Sequence, residues 1–358
     1  MGIRVVQWAT GAVGRAQLQE LIQHPGLELV GVLVYAEDKD GVDAGELCGL
    51  PATTGVKATT DKEVVFGLGA DVVVHAASKA HPGETNAEDI CRLLAAGTNV
   101  ITTTSYNHLP TYGPELQAAF EQACAAGGSR FHAAGENPGF MFERLVATVT
   151  GLSKRIDRID LYEATDVSGV PSRPMLVDLM GMGRRPDEVG LGSPIFKKLD
   201  TAYRQALGAT AEVLGAELER IEASIECTTL PRDVEVAAGT IDAGTVVGQR
   251  FSWVGYWRGR DLLAVHEEWV VTRDLPQWGL RPLAPGEKAP LIRAVVKGLP
   301  GFELQLDVGW DVDVPSELAG TSPGHLMIGM SAVRAIPDVL AAPPGIVKAP
   351  VFGALQLV

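Results

Sequence analysis

Short β-branched runs alternate with longer amphipathic stretches over the first third of the chain. The apolar runs are IRVVQWA, LELVGVLVY, DVVVHAA, NVITTT and RFHAA, between Ile3 and about Ala134. Between them, AVGRAQLQELIQH, NAEDICRLLAAG and YGPELQAAFEQACAAGG carry apolar residues three and four apart, and two of these close on glycine. Strands that are apolar throughout and alternate with helices leave no face for water. The pattern therefore predicts an α/β domain with a parallel sheet covered on both sides, a Rossmann arrangement over residues 1–148.

After Gly151 the strands lengthen and mix polar with apolar positions. KRIDRIDLYEATDV alternates, GTVVGQRFSWVGYWRGRDLLAVHEEWVVT reads as two strands around Arg258-Gly259-Arg260, and PLIRAVVKGLPGFELQLDVGW repeats that plan across Gly298 to Gly301. This predicts an α+β domain over 149–320 with a mostly antiparallel, open sheet, interrupted by a short helix in SRPMLVDLMGM and a longer one in SPIFKKLDTAYRQALGATAEVLG. SPGHLMIGMSAVRAIPDVLAAPPG is expected to form one further helix that stops near Pro343-Pro344, in a tail of 321–358 returning to the first domain.

Composition narrows the partners. Of 358 residues, 30 are Lys or Arg and 44 Asp or Glu, a formal charge of -14 that repels nucleic-acid backbones and anionic lipid. Cys48, Cys91, Cys124 and Cys227 stand far apart without C-x-x-C spacing, as small buried thiols of a reducing compartment do. MGIRVVQWATG lacks the apolar segment of a secretion signal, and no later run is long enough to span a bilayer, so a soluble cytoplasmic protein is expected.

Chemistry enters at VVQWATGAVGRAQL, an A-x-G-x-x-G turn formed by Ala9, Gly11 and Gly14 between the first strand and the first helix. The middle glycine of this fingerprint lets backbone approach a pyrophosphate, and the last lets helix pack on strand. Alanine at the first position is acceptable where its φ is ordinary. Cofactor choice is read at the end of the second strand, where Tyr35 is placed to stack on adenine and Lys39 to meet a 2′-phosphate, while Glu37 suits the ribose hydroxyls of NAD. The reading is NAD(P), leaning slightly to NADP.

GAVGRAQL, DVVVHAAS, GTNVITT and AGENPGF together resemble the NAD(P)-dependent oxidoreductases with a dihydrodipicolinate-reductase-type N-terminal domain. Length, NPGF and AIPDVLAAPPGI are most similar to the branch of 2,4-diaminopentanoate dehydrogenase and native amine dehydrogenases. The resemblance implies a homodimer with a small-molecule substrate. It implies cofactor contacts from Ala9, Thr10, Gly11, Ala12, Val13, Gly14 and Arg15 at the pyrophosphate, from Ala77, Ser78 and Thr104, and from Asn137, Pro138 and Gly139 beside the nicotinamide. One departure matters. The loop after the fifth strand, which carries a glutamate in amine dehydrogenases of this branch, is TTTSYNHLP here and holds no acid.

Reducing a carbonyl needs a proton donor, whereas an iminium needs an anion that also deprotonates ammonia. Tyr106 and His108 are candidate donors, though either also suits packing, and Asn107 either orients substrate or makes a turn. Glu136 is the candidate acid, moved one strand over; the opposing reading turns it outward against Arg144 or Arg173, or makes it a cap for a helix near Phe140. The expected function is hydride transfer between nicotinamide and a small, fairly apolar carbonyl or imine. The rivals are a true amine dehydrogenase using Glu136 and a silent cofactor-binding protein; reduction of a cyclic imine is disfavoured because the basic cluster it needs is missing. Trp253, Trp257 and Trp269 alternate along strands as core or interface anchors, and His81, His132, His266 and His325 have no metal-ligand spacing.

Overall fold

Each of the five early apolar runs becomes a strand of one parallel sheet in the computed structural model, which describes residues 2–50, 54–79, 84–284 and 287–357. With strands numbered along the chain, these are β1 (Ile3–Trp8), β2 (Leu27–Leu33), β4 (Val72–His75), β5 (Asn99–Thr102) and β6 (Arg130–Ala133). Two-residue strands β3 (Ala58–Thr59) and β15 (Gly345–Ile346), too short to show in a hydrophobic pattern, extend the two edges. The order is β15-β6-β5-β4-β1-β2-β3, and every pair is parallel.

Alternation along the strands explains both covers. Val6, Trp8, Val73 and Val100 point into a core completed by Ile90 and Leu94 of α4 (Asn86–Ala95) and Phe120 of α5 (Pro114–Gly127). Their neighbours Val5, Val72, Val74 and Ile101 point the other way, towards Leu21 of α1 (Ala12–Gln23). That second core also takes Ala332 and Val333 of α8 (Pro323–Arg334) and Ile336 and Val339 of α9 (Ile336–Ala341). The single terminal helix expected from sequence is thus two, broken at Ala335, because Pro337 cannot donate the hydrogen bond a continuous helix requires. Short helices α2 (Ala44–Cys48) and α3 (Lys62–Phe66) complete this unit, which comprises Met1–Phe140 and Trp310–Pro350.

The second unit comprises Met141–Gly309 and Val351–Val358. Its six-stranded sheet runs β14-β13-β7-β12-β11-β8, built from β7 (Arg155–Asp166), β8 (Arg220–Thr229), β11 (Val246–Trp257), β12 (Arg260–Val270), β13 (Ala289–Leu299) and β14 (Phe302–Val308). Neighbours are antiparallel except β7 and β12. A separate hairpin joins β9 (Val234–Val236) to β10 (Gly239–Ile241). Arg258 and Gly259, both at positive φ, make the two-residue turn between β11 and β12.

Helix α7 (Pro194–Val213) covers one face of this sheet. Ser193 caps it by accepting from the Phe196 N–H, and Phe196 and Tyr203 stack on fully buried Trp253, whose indole donates to Asp200 at 2.8 Å. The shorter helical piece is a π-helical turn, Pro174–Leu179; a second, Met141–Val146, runs into α6 (Ala147–Thr150).

Candidate active site

The strand order reverses between β4 and β1, and there the carboxyl ends of a parallel sheet leave a crevice. The sequence candidates of the first unit follow these strand ends: Ala9 to Arg15 after β1, Tyr35 and Lys39 after β2, Ala77 and Ser78 after β4, Thr104 to His108 after β5, and Glu136 to Gly139 after β6.

The glycine turn is built for close approach. A Cβ on Gly14 would lie 2.2 Å from the Ala9 carbonyl oxygen, so only glycine lets α1 start so near β1. A Cβ on Gly11 would meet nothing within 4 Å, although φ there is an ordinary -71°. Gly11 and Ala12 are exposed and no side chain caps α1, leaving its first N–H groups open to an anion. Open backbone, bare helix start and space at Gly11 fit a pyrophosphate.

One expectation fails at this turn. Ala9 has φ +74°, a left-handed conformation that costs an alanine roughly 1 kcal/mol, so the swap from glycine is not free. Two neighbours hold it there. The Ala9 N–H donates to the Leu33 carbonyl at 2.9 Å, and the buried Gln7 amide donates to the Ala9 carbonyl at 2.9 Å and to Gln17 Oε1 at 3.0 Å. A glutamine in the apolar run VVQWA was the available signal for this clamp.

At the end of β2, Lys39 Nζ donates to Thr10 O and to Thr10 Oγ1, each at 3.2 Å, which fixes a cation beside the turn. Tyr35 leaves its ring half exposed while its hydroxyl accepts from the Trp8 indole at 2.9 Å. Beyond β4, His75 is fully buried with Nδ1 3.0 Å from Thr102 Oγ1 and 3.1 Å from Thr104 Oγ1. Burial, assisted by the Lys62 charge, pushes its pKa down to about 3, so the ring stays neutral. Thr104 in turn donates to the Ala77 carbonyl at 2.7 Å, and Asn86 donates to the Ser78 carbonyl at 3.2 Å, so both residues beside the expected nicotinamide ribose are pinned by backbone oxygen.

The loop after β5 divides its candidates. Tyr106 is buried against Phe120 and Tyr112, and burial raises its pKa, which fits the packing role better than proton donation. His108 precedes the 3-10 turn Leu109–Tyr112, with Nδ1 2.9 Å from Thr111 Oγ1. Asn107 reaches across to the next strand, donating to the carbonyls of Ala133 and Ala134 at 3.3 and 3.4 Å. The two loops therefore meet at the residues just before Glu136.

Glu136 is 8 % exposed, a buried acid at the carboxyl end of β6. Its turn is tight: a Cβ on Gly135 would sit 2.1 Å from the Pro138 carbonyl oxygen, one on Gly139 would sit 2.4 Å from Gly135 N, and the Asn137–Pro138 bond is cis. The Phe140 N–H closes the turn on the Glu136 carbonyl at 3.0 Å.

Two features of the structure leave only a faint trace in the sequence. Lys79 lies 3.5 Å from the centroid of the Tyr106 ring, donates to Ser105 O at 3.1 Å and to the Tyr112 hydroxyl at 2.6 Å, and burial takes its pKa down to about 8. A lone cation at the end of an apolar strand, HAASK, is its signature. In the second unit, buried Glu163 and Glu267 sit in register on β7 and β12, and the Tyr203 hydroxyl donates to Glu267 Oε2 at 2.5 Å and to Glu163 Oε2 at 3.4 Å. Such a pair can share a proton or face a cation. Strict alternation in VHEEWVV already puts Glu267 on the buried face with Val265.

Among the described residues no group of three His, Cys, Asp or Glu side chains could hold a metal ion, and no helix is long and apolar enough to cross a membrane. His132 pairs with the Val347 carbonyl and His266 stacks on Tyr162, while His81 lies outside the described residues.

Residues 4–109 match the family model described as dihydrodipicolinate reductase, N-terminus. An amine dehydrogenase of Streptomyces virginiae is 31% identical over 314 residues, 85% of this chain and 85% of that one. A 2,4-diaminopentanoate dehydrogenase of Acetoanaerobium sticklandii is 22% identical over 355 residues, 96% and 91% of the two chains. In fold, the structure of an amine dehydrogenase from Mycobacterium smegmatis superposes with TM-score 0.69 at 22% identity, over 100% of this chain and 99% of that one. The chain therefore belongs to the NAD(P)-dependent oxidoreductases with a dihydrodipicolinate-reductase-type N-terminal domain, in the branch that holds the amine dehydrogenases and 2,4-diaminopentanoate dehydrogenase.

Proposed function

We propose that the protein interconverts a small, mostly apolar primary amine with the corresponding carbonyl compound and ammonia, and that Glu136 is its acid-base residue. The observation that carries the reading is a buried carboxylate on the β6 turn beside Asn107, whose side chain binds the strand leading to Glu136. Asn107 belongs to the loop in which this branch otherwise keeps its glutamate, so the acid is supplied from the adjoining strand end.

Gly11, Ala12, Val13 and Gly14 would hold the pyrophosphate of the dinucleotide, and Lys39 beside Thr10 favours the 2′-phosphate of NADP. The bound nicotinamide supplies the hydride acceptor for the amine-bearing carbon. Loss of that hydride leaves an iminium on the substrate, whose positive charge a buried carboxylate stabilises more strongly than water does. Glu136 then takes a proton from the water that attacks the iminium carbon and returns it to the nitrogen of the resulting carbinolamine. As the C–N bond breaks, the hydroxyl proton passes by way of the same carboxylate to the departing nitrogen, so the carbonyl compound and ammonium leave and the carboxylate is restored. Asn107 positions that turn, and the Lys79 bonds to Ser105 and Tyr112 hold the loop that carries Asn107.

Steady-state NAD(P)H formation with primary amines and with matching alcohols, for wild type and Glu136→Gln, tests the reading. Turnover of amines that falls by at least about 100-fold in the variant, at unchanged cofactor affinity, supports it. Full amine activity in Glu136→Gln defeats it.

A further inference from the structure

The face of the second unit's sheet that is turned away from α7 carries a site the dehydrogenase reading does not use. Phe251 and Trp253 point to α7, so the alternating Arg250 points to the other face, and its cross-strand partner Glu268 lies there too. Tyr162, Arg293 and Gln305 continue this row on β7, β13 and β14. The segment after β12 folds over it and brings Arg273, Trp278, Leu280 and Arg281 to the wall of an open cavity of about 500 Å³.

Charge in this cavity is unbalanced. Arg250 pairs with Glu268 and Glu226, Arg281 with Glu287, and Arg293 with Glu303. Arg273 is different. It is 8 % exposed, and its Nε and Nη1 have no hydrogen-bond partner among the described residues. Its charge is felt at Glu287, but that carboxylate is already held by Arg281 and the Ala284 N–H. A buried guanidinium without an anion is costly, and in a chain of net charge -14 acids are plentiful, so its isolation calls for a ligand.

We propose that this cavity binds a small organic monocarboxylate, with its charged end towards Arg273 and its apolar body against Trp278, Leu280, Leu283 and Leu291. One spare cation matches one negative charge, whereas phosphate would bring nearly two. The volume and apolar wall exceed what an inorganic ion fills. Every lining residue belongs to the second unit, so the site shares none with the dinucleotide crevice.

Calorimetric titration of the full chain with benzoate, neutral benzamide and inorganic phosphate tests this, together with Arg273→Met and Arg273→Lys. The site predicts saturable benzoate binding, none of benzamide, phosphate at least 10-fold weaker than benzoate, and at least a 10-fold loss in Arg273→Met that Arg273→Lys partly restores. Without benzoate, Arg273→Met should melt above wild type, since a buried unpaired charge has gone. No benzoate binding by wild type, equal binding by Arg273→Met, or phosphate binding as tight as benzoate overturns the proposal. So does an Arg273→Met chain that sediments as a smaller species, because the occupant is then an acid of a second copy.

Discussion

Gly14 and Gly11 stand three residues apart in one motif, yet the structure gives them separable jobs. A Cβ at Gly14 falls 2.2 Å from Ala9 O, 2.9 Å from Ala9 C and 3.2 Å from Gln7 Nε2. Side-chain carbons do not approach within 3.0 Å, so backbone must move by more than half an ångström. The backbone concerned is already anchored by Gln7 and by Leu33. Overpacking of this kind costs about 3 kcal/mol, which lowers Tm by roughly 6–12 °C for a unit of this size. Gly11→Ala meets nothing within 4 Å and stays within about 0.5 kcal/mol of wild type, but its methyl enters the space offered to the pyrophosphate, so dinucleotide affinity falls roughly 100-fold. Scanning calorimetry paired with a dinucleotide titration reads both variants. A Gly11→Ala protein that binds NADP as wild type does, or a Gly14→Ala protein that melts with wild type, would refute the division.

Ala9→Gly relieves the left-handed alanine at φ +74° and should raise Tm by a few degrees, for about 1 kcal/mol; a lower Tm contradicts the strain. Lys39→Ala should raise KM for NADP about 10-fold and leave KM for NAD unchanged, and an equal effect on both would remove Lys39 from the 2′-phosphate. His75 gives a pH test. Its folded pKa of about 3 lies below the unfolded 6.5, so acid protonates the unfolded chain first. The stability it contributes is complete above pH 6.5 and is lost as pH falls towards 3, at up to about 1.4 kcal/mol per pH unit. Urea unfolding at pH 7 and pH 5 should show this slope in wild type and a shallower one in His75→Gln; equal slopes would exclude the neutral, buried ring.

The parallel sheet was legible because strands buried on two faces carry continuous apolar runs, and the hairpin at Arg258-Gly259 because its turn chemistry is local. The paired glycines were legible for the same reason. Distances across the fold were not. Whether Ala9 takes an ordinary φ depends on Gln7 and Leu33, and the break at Ala335 depends on how much one proline disturbs a helix packed on α1. Tyr106 and His108 looked alike as loop side chains, and only the position of Phe120, on the following helix, turns one of them into core. Lys79 and Arg273 leave little mark in the sequence, because a single cation has no pattern until its surroundings are known.

The proposed reaction takes its hydride from a carbon that bears nitrogen. The most direct measurement follows ammonia release and NADPH formation together, in alkaline solution, with a series of short unbranched primary amines and the matching alcohols. One ammonia is expected for each NADPH with the amines, and no turnover of the alcohols. NADPH formed from alcohols, with none from any amine, would contradict that reaction.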